Sequence, residues 1–324
     1  MPHDTPKGGA AFPPRPEGQD LHAATQMKAA QFAEYGGPEV LRLAEVAEPH
    51  AGPGQVRIAV RAAGVNGIDW KIRAGFMRDI IPLSLPAGTG IDAAGVIDEI
   101  GAGVTGVAVG DSVFGSGSQT YAEHAVLSSW AVLPAGLSFE EAAGYPAPIE
   151  TAIRIINQVG IKSGQTLLVS GASGGVGSAV IQVAIGRGID VIGTAGVSNQ
   201  DYVRSLGAVP TTYGDGLVGR VRAIAAVDAA LDIAGSGVIP QLIELTGDPA
   251  KVLSIADFSA PQLGAQVSSD TLDMAGALAE AARLFTEGAF HLPVDQAFPL
   301  QDAARAQAVS QAGHVAGRVI ITVP

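Results

Sequence analysis

The sequence predicts an α/β chain of two units, a β-rich unit followed by a parallel sheet wound on both faces by helices. Three observations carry this. The 324 residues exceed the roughly 100–200 of one compact domain. The first third strings short apolar or alternating runs between Gly and Pro turns. Beyond Ser138, strand-like and helix-like runs take turns at the interval of βαβ units, which implies right-handed crossovers and parallel pairing.

Residues 1–26, "MPHDTPKGGAAFPPRPEGQDLHAATQ", are rich in Pro, Gly and polar residues without periodicity, and are expected to form a disordered extension. Its "FPPRP" is read as part of that extension rather than as a polyproline ligand. Order is expected from Met27. "KAAQFA", "QVRIAVRAAGV", "AAGVIDEIG", "GDSVFG" and "AEHAVLS" supply the strands of the β-rich unit. "LSFEEAAGYPAPIETAIRIINQVG" has helical spacing, with Ser138 as cap and acids in the first turn. Strand "TLLVSG", helix "SAVIQVAIGRG", strand "DVIGTA", helices "NQDYVRSLGA" and "GLVGRVRAIA", and strands "VDAALDIAG" and "KVLSIA" follow. The closing "RVIITVP" reads as one more strand, which need not join the parallel sheet.

Composition removes several classes of function. Hydrophobic residues make up 47% and charged residues 15%, enough apolar material for a sizeable core. The longest apolar stretch, "AVIQVAIGRGIDVIGTAGV", is cut by Gln182, Arg187 and Asp190, short of the roughly 20 apolar residues of a membrane span. No basic start followed by an apolar run opens the chain, so a cytoplasmic location is expected. A net charge of −12 with no Lys/Arg cluster argues against nucleic acid and anionic membranes as partners. The absence of cysteine excludes disulfides, thiol nucleophiles and cysteine zinc sites. His3, His22, His50, His124, His291 and His314 are not spaced as metal pairs, and a metal-free protein is expected.

"TLLVSGASGGVGSAV", residues 166–180, combines an apolar strand, a glycine-rich turn and a helix. The turn is Ala172-Ser173-Gly174-Gly175-Val176-Gly177, with alanine at the first position of the G-x-G-x-x-G pattern. Gly174 would let the backbone approach a pyrophosphate, Gly177 would let helix and strand pack closely, and the helix N-terminus would offer N–H groups to the phosphates. The bland alternative is a tight strand–helix connection; βαβ context on both sides favours a dinucleotide. The following strand ends in Thr194, Ala195 and Gly196, where an NAD-binding unit carries an acid for the ribose 2′-hydroxyl. No carboxylate is there to repel a 2′-phosphate, so NADPH is expected, with Ser198, Asn199 and Tyr213 as its hydroxyl and amide partners. Gln200 follows rather than a cation, and Arg204 is the nearest positive charge.

In order, "MKAAQFAEYGGPEVLRL", "AAGVNGIDWKIRAG", "AAGVIDEIGAGVTGVAVGDSVFG", "LSFEEAAGYP", "GASGGVGSAVIQVA" and "FPLQDAARAQAVSQAGHVAGRVIITV" resemble the medium-chain dehydrogenase/reductase superfamily. More narrowly they are similar to its zinc-free quinone oxidoreductase branch, which includes zeta-crystallin and NADPH-dependent enone reductases. The resemblance runs from Met27 to the last residue. The zinc alcohol dehydrogenases of the superfamily have a cysteine ligand where Asn66 stands and "GHE" where this chain has Gly90-Ile91-Asp92.

The resemblance implies a GroES-like catalytic domain of residues 27–147 and 288–324, flanking a Rossmann NADPH-binding domain of residues 148–287, and a homodimer. It implies that Asn66 lies beside the nicotinamide, the alternative being a turn-forming Asn, whereas Asp69 reads as a cap or loop support. Lys71 is implied as the cation that meets a developing enolate, or else is a solvated surface lysine. Tyr121 and Tyr145 are further donors or pocket walls. Thr151 is implied to face the nicotinamide, and Arg318 to meet the pyrophosphate or to be a surface cation. Ile233 and Ala234, then Ser254, Ile255 and Ala256, end later strands, where a doubly wound sheet binds its ligand. The expected reaction is hydride transfer from NADPH to a small-molecule quinone or to the C=C bond of an α,β-unsaturated carbonyl. The alternatives are an enoyl-thioester reductase of a biosynthetic pathway and a non-catalytic NADPH-binding sensor or structural protein. A zinc alcohol dehydrogenase is opposed by Asn66 and Ile91.

Overall fold

The computed structural model describes residues 25–268 and 273–324. The expected N-terminal extension, "FPPRP" included, lies outside the described residues up to residue 24. Gln26 does not end a tail but opens a strand, pairing with Ala47.

The first unit contains β1 (Gln26–Phe32), β2 (Arg42–Ala47), β3 (Val56–Val65), α1 (Gly67–Arg73), β4 (Ala87–Gly88), β5 (Asp92–Ile100), β6 (Ser112–Ser118) and β7 (His124–Val132). β2, β1 and β4 form a small antiparallel sheet. β3, β5, β6 and β7 pair antiparallel in that order, and β3 also pairs with β7, so the four strands close on themselves. The sequence of β3, "VRIAVRAAGV", shows two regimes. Buried and half-buried residues alternate from Val56 to Val60, as on a strand with one face on a core. Ala62 to Val65 are all buried, because the second unit and the short helix that follows β7 cover the other face there. Val56, Ile58, Ile97, Val113 and Leu127 fill the space the closed strands surround, each contributing about 1.5–3 kcal/mol by leaving water.

The chain leaves the first unit through α2 (Phe139–Ala142), which packs on β3 and β5, and enters the second with α3 (Pro146–Val159). The helical stretch read from "LSFEEAAGYPAPIETAIRIINQVG" is therefore two helices. The Ser138 hydroxyl caps the first by accepting from the Glu141 amide at 3.2 Å. Pro146 has no N–H to continue the ladder and sits in the first turn of α3, where none is needed. β8 (Thr166–Ser170), α4 (Gly175–Gly186), β9 (Asp190–Thr194), α5 (Gln200–Ser205), β10 (Val209–Thr211), α6 (Leu217–Arg222), β11 (Ala229–Asp232), α7 (Ile239–Thr246), β12 (Val252–Ser254), β13 (Gln266–Val267) and α8 (Met274–Thr286) follow. All six strands are parallel, in the order β10-β9-β8-β11-β12-β13. In chain order that is 3-2-1-4-5-6, the Rossmann arrangement. β10 and β13, three and two residues long, are too short to show a period, and the sequence reading contains neither.

The chain then returns to the first unit through β14 (Val294–Pro299), α9 (Ala303–Ala312) and β15 (Arg318–Thr322). β15 lies antiparallel to β3 and parallel to β14, outside the parallel sheet. One core joins the units: Ala62, Ala94, Phe114 and Ile320 of the first pack in the same cluster as Ile149, Leu167 and Leu278 of the second. Among the described residues, no helix is long and apolar enough to cross a membrane.

Candidate functional site

The strand order reverses between β8 and β11, which opens a ligand crevice beyond their C-terminal ends. The glycine-rich turn joins β8 to α4 at that point, and its glycines answer different needs. A Cβ on Gly177 would lie 2.1 Å from the Gly171 carbonyl oxygen and 2.7 Å from the Ala172 Cα, so helix and strand approach as only glycine allows. A Cβ on Gly174, the N-cap of α4, would meet nothing within 4 Å. A Cβ on Gly175 would run into Arg318, 2.7 Å from both Cδ and Nη1. Ser178 donates the first bond of α4 to the Gly174 carbonyl at 2.8 Å, so the amides ahead of it have no helical acceptor and suit an anion. The open cradle at Gly174 and these amides fit the pyrophosphate of a dinucleotide. Val176 is half-buried in the first turn of α4.

Two residues of the expected cofactor set, Ala172 and Thr194, are buried in the frame of the turn. Ala172 is fully buried and its amide donates to the Thr194 carbonyl at 2.9 Å. Thr194 is buried too, and its hydroxyl accepts from the Gly171 amide at 3.3 Å, which helps to shape the turn. Ser173 is half-buried, with its hydroxyl accepting from Asn199 Nδ2 at 3.3 Å. Exposed Ser198, half-buried Asn199 and exposed Tyr213 gather at Gly196: the Asn199 amide donates to the Gly196 carbonyl at 3.0 Å, and a Cβ on Gly196 would be 3.7 Å from the Tyr213 hydroxyl. Gln200 ties the ends of β9 and β10 by donating to the Ala195 and Thr211 carbonyls. Arg204 is paired with Asp201. Arg220, which the sequence reading misses, pins the Tyr213 loop by donating to the carbonyls of Asp215 at 2.7 Å and Thr212 at 2.9 Å.

The other wall is built from side chains. Strand register puts Gly64 opposite Asp92 and Val65 opposite Val319, so Asn66, Asp92 and Arg318 meet at one end of three adjacent strands. Arg318 Nη2 donates to Asn66 Oδ1 at 2.8 Å, Asn66 Nδ2 donates to Asp92 Oδ2 at 2.9 Å, and the Ala147 amide donates to the same Asp92 oxygen at 3.0 Å. Asn66 is the N-cap of α1, and its amide donates to Asp69 Oδ2 at 2.8 Å, so Asp69 supports the loop as read. The Tyr121 hydroxyl donates to Asp69 Oδ2 at 2.7 Å from a fully buried position. Tyr121 therefore faces Asp69 rather than a substrate, which corrects its expected donor role. Tyr145 is also buried and donates to Glu141 Oε1 at 2.5 Å. Burial pushes the Asp69 carboxyl up to about 7 against the Tyr121 and Asn66 bonds, and Asp92 up to about 6 against the pull of Arg318.

This wall is joined to the turn. The Gly317 amide donates to the Ser173 carbonyl at 3.0 Å, Gly317 and Gly174 form a parallel bridge, and Arg318 lies against Gly175. Lys71, one turn into α1, is half-buried with Nζ 5.6 Å from the Trp70 ring centre. Burial lowers its pKa, and the Asp232 carboxylate opposes that. Asp232 ends β11 on the far wall, buried, accepting from the Ser254 hydroxyl at 2.8 Å and the Gly235 amide at 2.9 Å. Half-buried Ile233, Ile255 and Ala256 follow β11 and β12. Thr151 is half-buried on α3 beside Arg154.

The residues at the positions where zinc alcohol dehydrogenases carry ligands do not suit a divalent cation. Asn66 and Asp92 are both engaged with a buried guanidinium, which repels one, and Ile91 offers no donor. Among the described residues, no group of three or more His, Cys, Asp and Glu could hold a metal ion. Asp232 and Arg220 escape the sequence reading, and Asp92 is named there without a role; the available signal for it was a carboxylate directly ahead of the apolar run Ala93 to Ile97.

Two family descriptions match the chain: alcohol dehydrogenase GroES-like domain over residues 52–145 and zinc-binding dehydrogenase over residues 208–321. The quinone oxidoreductase of Homo sapiens is 42% identical over 177 residues, 52% of this chain and 53% of that protein. The chain thus spans about half the length of the curated relatives it matches. Among solved structures, the quinone oxidoreductase from Coxiella burnetii is 30% identical with a TM-score of 0.82, covering 93% of this chain and 100% of its own. The Escherichia coli quinone oxidoreductase complexed with NADPH is 25% identical with a TM-score of 0.82, covering 91% and 100%.

Proposed function

This chain belongs to the medium-chain dehydrogenase/reductase superfamily, and on that premise we propose that it moves a hydride from NADPH, without zinc, to a quinone or to the C=C bond of an α,β-unsaturated carbonyl. Arg318 carries the reading. Its Nη1 side reaches Gly175 of the phosphate cradle while its Nη2 holds Asn66, so cradle and α1 serve one crevice. NADPH supplies the hydride. Ser173, Gly174, Gly175, Val176 and Gly177 would hold its pyrophosphate, with Ser198, Asn199 and Tyr213 at the 2′-phosphate. Asn66 and Thr151 would orient the nicotinamide, against Ile233, Ile255 and Ala256. The preference for NADPH is supported by a β9 that ends without an acid, and by the relative solved with NADPH.

Both acceptor types share one electronic demand. Hydride added to the β-carbon leaves a negative charge on the conjugated carbonyl oxygen, and a quinone is such a carbonyl twice over. The half-buried Lys71 ammonium is the group to meet that charge. A proton from water then completes the saturated ketone or the hydroquinone, so no acid pair is required, and orientation supplies much of the rate.

The test is NADPH oxidation, followed by cofactor absorbance, with a 1,4-quinone and with a linear enone. Turnover is expected with at least one, and Lys71→Met should lower enone turnover about 100-fold. Demonstrated NADPH binding without turnover of either overturns the reading in favour of a sensor or of a thioester substrate. Metal analysis of the active protein should find no stoichiometric zinc. The family reading also makes the protein a homodimer, which a solution mass tests.

A further inference from the structure

The segment after α1 concentrates exposed apolar side chains next to Lys71. Phe76 is 70% exposed, Ile80 69%, Ile81 37% and Leu85 36%. The segment is anchored: the Phe76 amide donates to the Lys71 carbonyl at 3.0 Å, the Ile81 amide donates to the Met77 carbonyl at 2.7 Å, and Met77 is buried beneath. The Phe76 ring stands edge-on to Trp70, centroids 6.1 Å apart at 80°. Trp70 in turn lies under the Lys71 ammonium. Lys71 thus touches Trp70 and Trp70 touches Phe76, and Ile80 and Ile81 follow in the same anchored segment.

We propose that this surface seats an apolar chain of the hydride acceptor, so that the acceptor is an enone or quinone bearing an alkyl or prenyl substituent of several carbons. The proposal rests on the hydride-transfer reading above. The carbonyl end would be held at Lys71 and the tail would run over Trp70, Phe76 and Ile80. The contact series favours a substrate over other occupants, because the apolar surface begins at the group that meets the carbonyl oxygen. An anionic lipid surface is disfavoured by the net charge of −12 and by a segment whose Arg78 and Asp79 cancel. A patch of this kind on a soluble chain marks a binding surface more often than a chance exposure.

Binding is read without turnover. The tryptophans are Trp70 and Trp130, so Trp130→Phe makes Trp70 emission a reporter of this surface. In the presence of NADP⁺, which has no hydride to give, the protein is titrated with 2-butanone and with 2-nonanone. A fully buried methylene strengthens binding about fourfold, so five partly buried ones should make 2-nonanone bind at least roughly twentyfold tighter. The double variant Ile80→Ser/Ile81→Ser, at two surface positions, should reduce that ratio below about threefold. An unchanged ratio in the double variant, or a ratio near one in the parent, overturns the proposal. So does a parent protein that pellets with phosphatidylcholine vesicles, or doubles its solution mass, through the same two residues. If the ratio behaves as expected while quinone and enone both fail to turn over, the tail surface stands and the hydride-transfer reading falls.

Discussion

The two walls of the crevice are made of different materials. The cradle wall is backbone: three glycines, the first-turn amides of α4, and no charged side chain of its own. The α1 wall is side chains: Asn66, Asp69, Asp92, Tyr121 and Arg318, all buried and drawn from segments far apart in the chain. A backbone wall is specified by what must be missing, since each Cβ would strike something or fill the ligand's place. A side-chain wall is specified by what must be present together, and losing one member leaves others buried with unmet charge.

Four variants sharpen or break this contrast. Arg318→Met should have the largest effect, destabilising the fold by about 3–5 kcal/mol in chemical denaturation, because it strands Asp92 without its counter-charge. A smaller change would mean that the α1 wall is not a mutually dependent unit.

Asp69→Asn should change how stability depends on pH. Burial raises Asp69 in the folded state, so the folded chain keeps a proton that the unfolded chain releases above about pH 4. The stabilisation is fully present below that pH and is lost as pH rises to about 7. Parent minus variant, the unfolding free energy should therefore fall by roughly 2–4 kcal/mol between pH 4 and pH 7.5. A flat difference would show that Asp69 does not titrate in that window.

Gly177→Ala should cost about 1–3 kcal/mol and shift the thermal midpoint down, since its Cβ meets backbone that cannot yield without moving α4 from β8. Gly174→Ala should change stability by less than about 0.5 kcal/mol, its φ of −74° being open to any residue, yet weaken NADPH binding about tenfold in a fluorescence titration. If both glycines behaved alike, the cradle would not face the ligand at Gly174.

The same contrast explains what the sequence disclosed. The cradle is legible because strand, turn and helix are contiguous, and Gly174 and Gly177 differ in the structure as their spacing predicts. Asn66 was legible only through resemblance. Asp92 was visible as a departure from a zinc ligand but not as a partner, because its partners Asn66, Ala147 and Arg318 become neighbours only once β3, β5 and β15 are in register. Tyr121 was misread because a hydroxyl in a suitable segment says nothing about which way it points, and this one is turned inward onto Asp69. The break before α3 was written in Pro146, but helical spacing on both sides masked it.

The position of β15 between β14 and β3 has a bearing on synthesis. The strands of the parallel sheet are neighbours along the polypeptide, so that unit can assemble on the ribosome while the C-terminal segment is still unmade. The sheet of the first unit cannot: β3 waits for β15, which follows the whole parallel sheet in the chain. Arg318, 252 positions beyond the Asn66 it holds, arrives with that partner. A nascent chain thus completes the strands of the parallel sheet before Arg318 can join Asn66, and termination ahead of residue 317 would leave Gly174, Asn66 and Asp92 without the partners that join turn to wall.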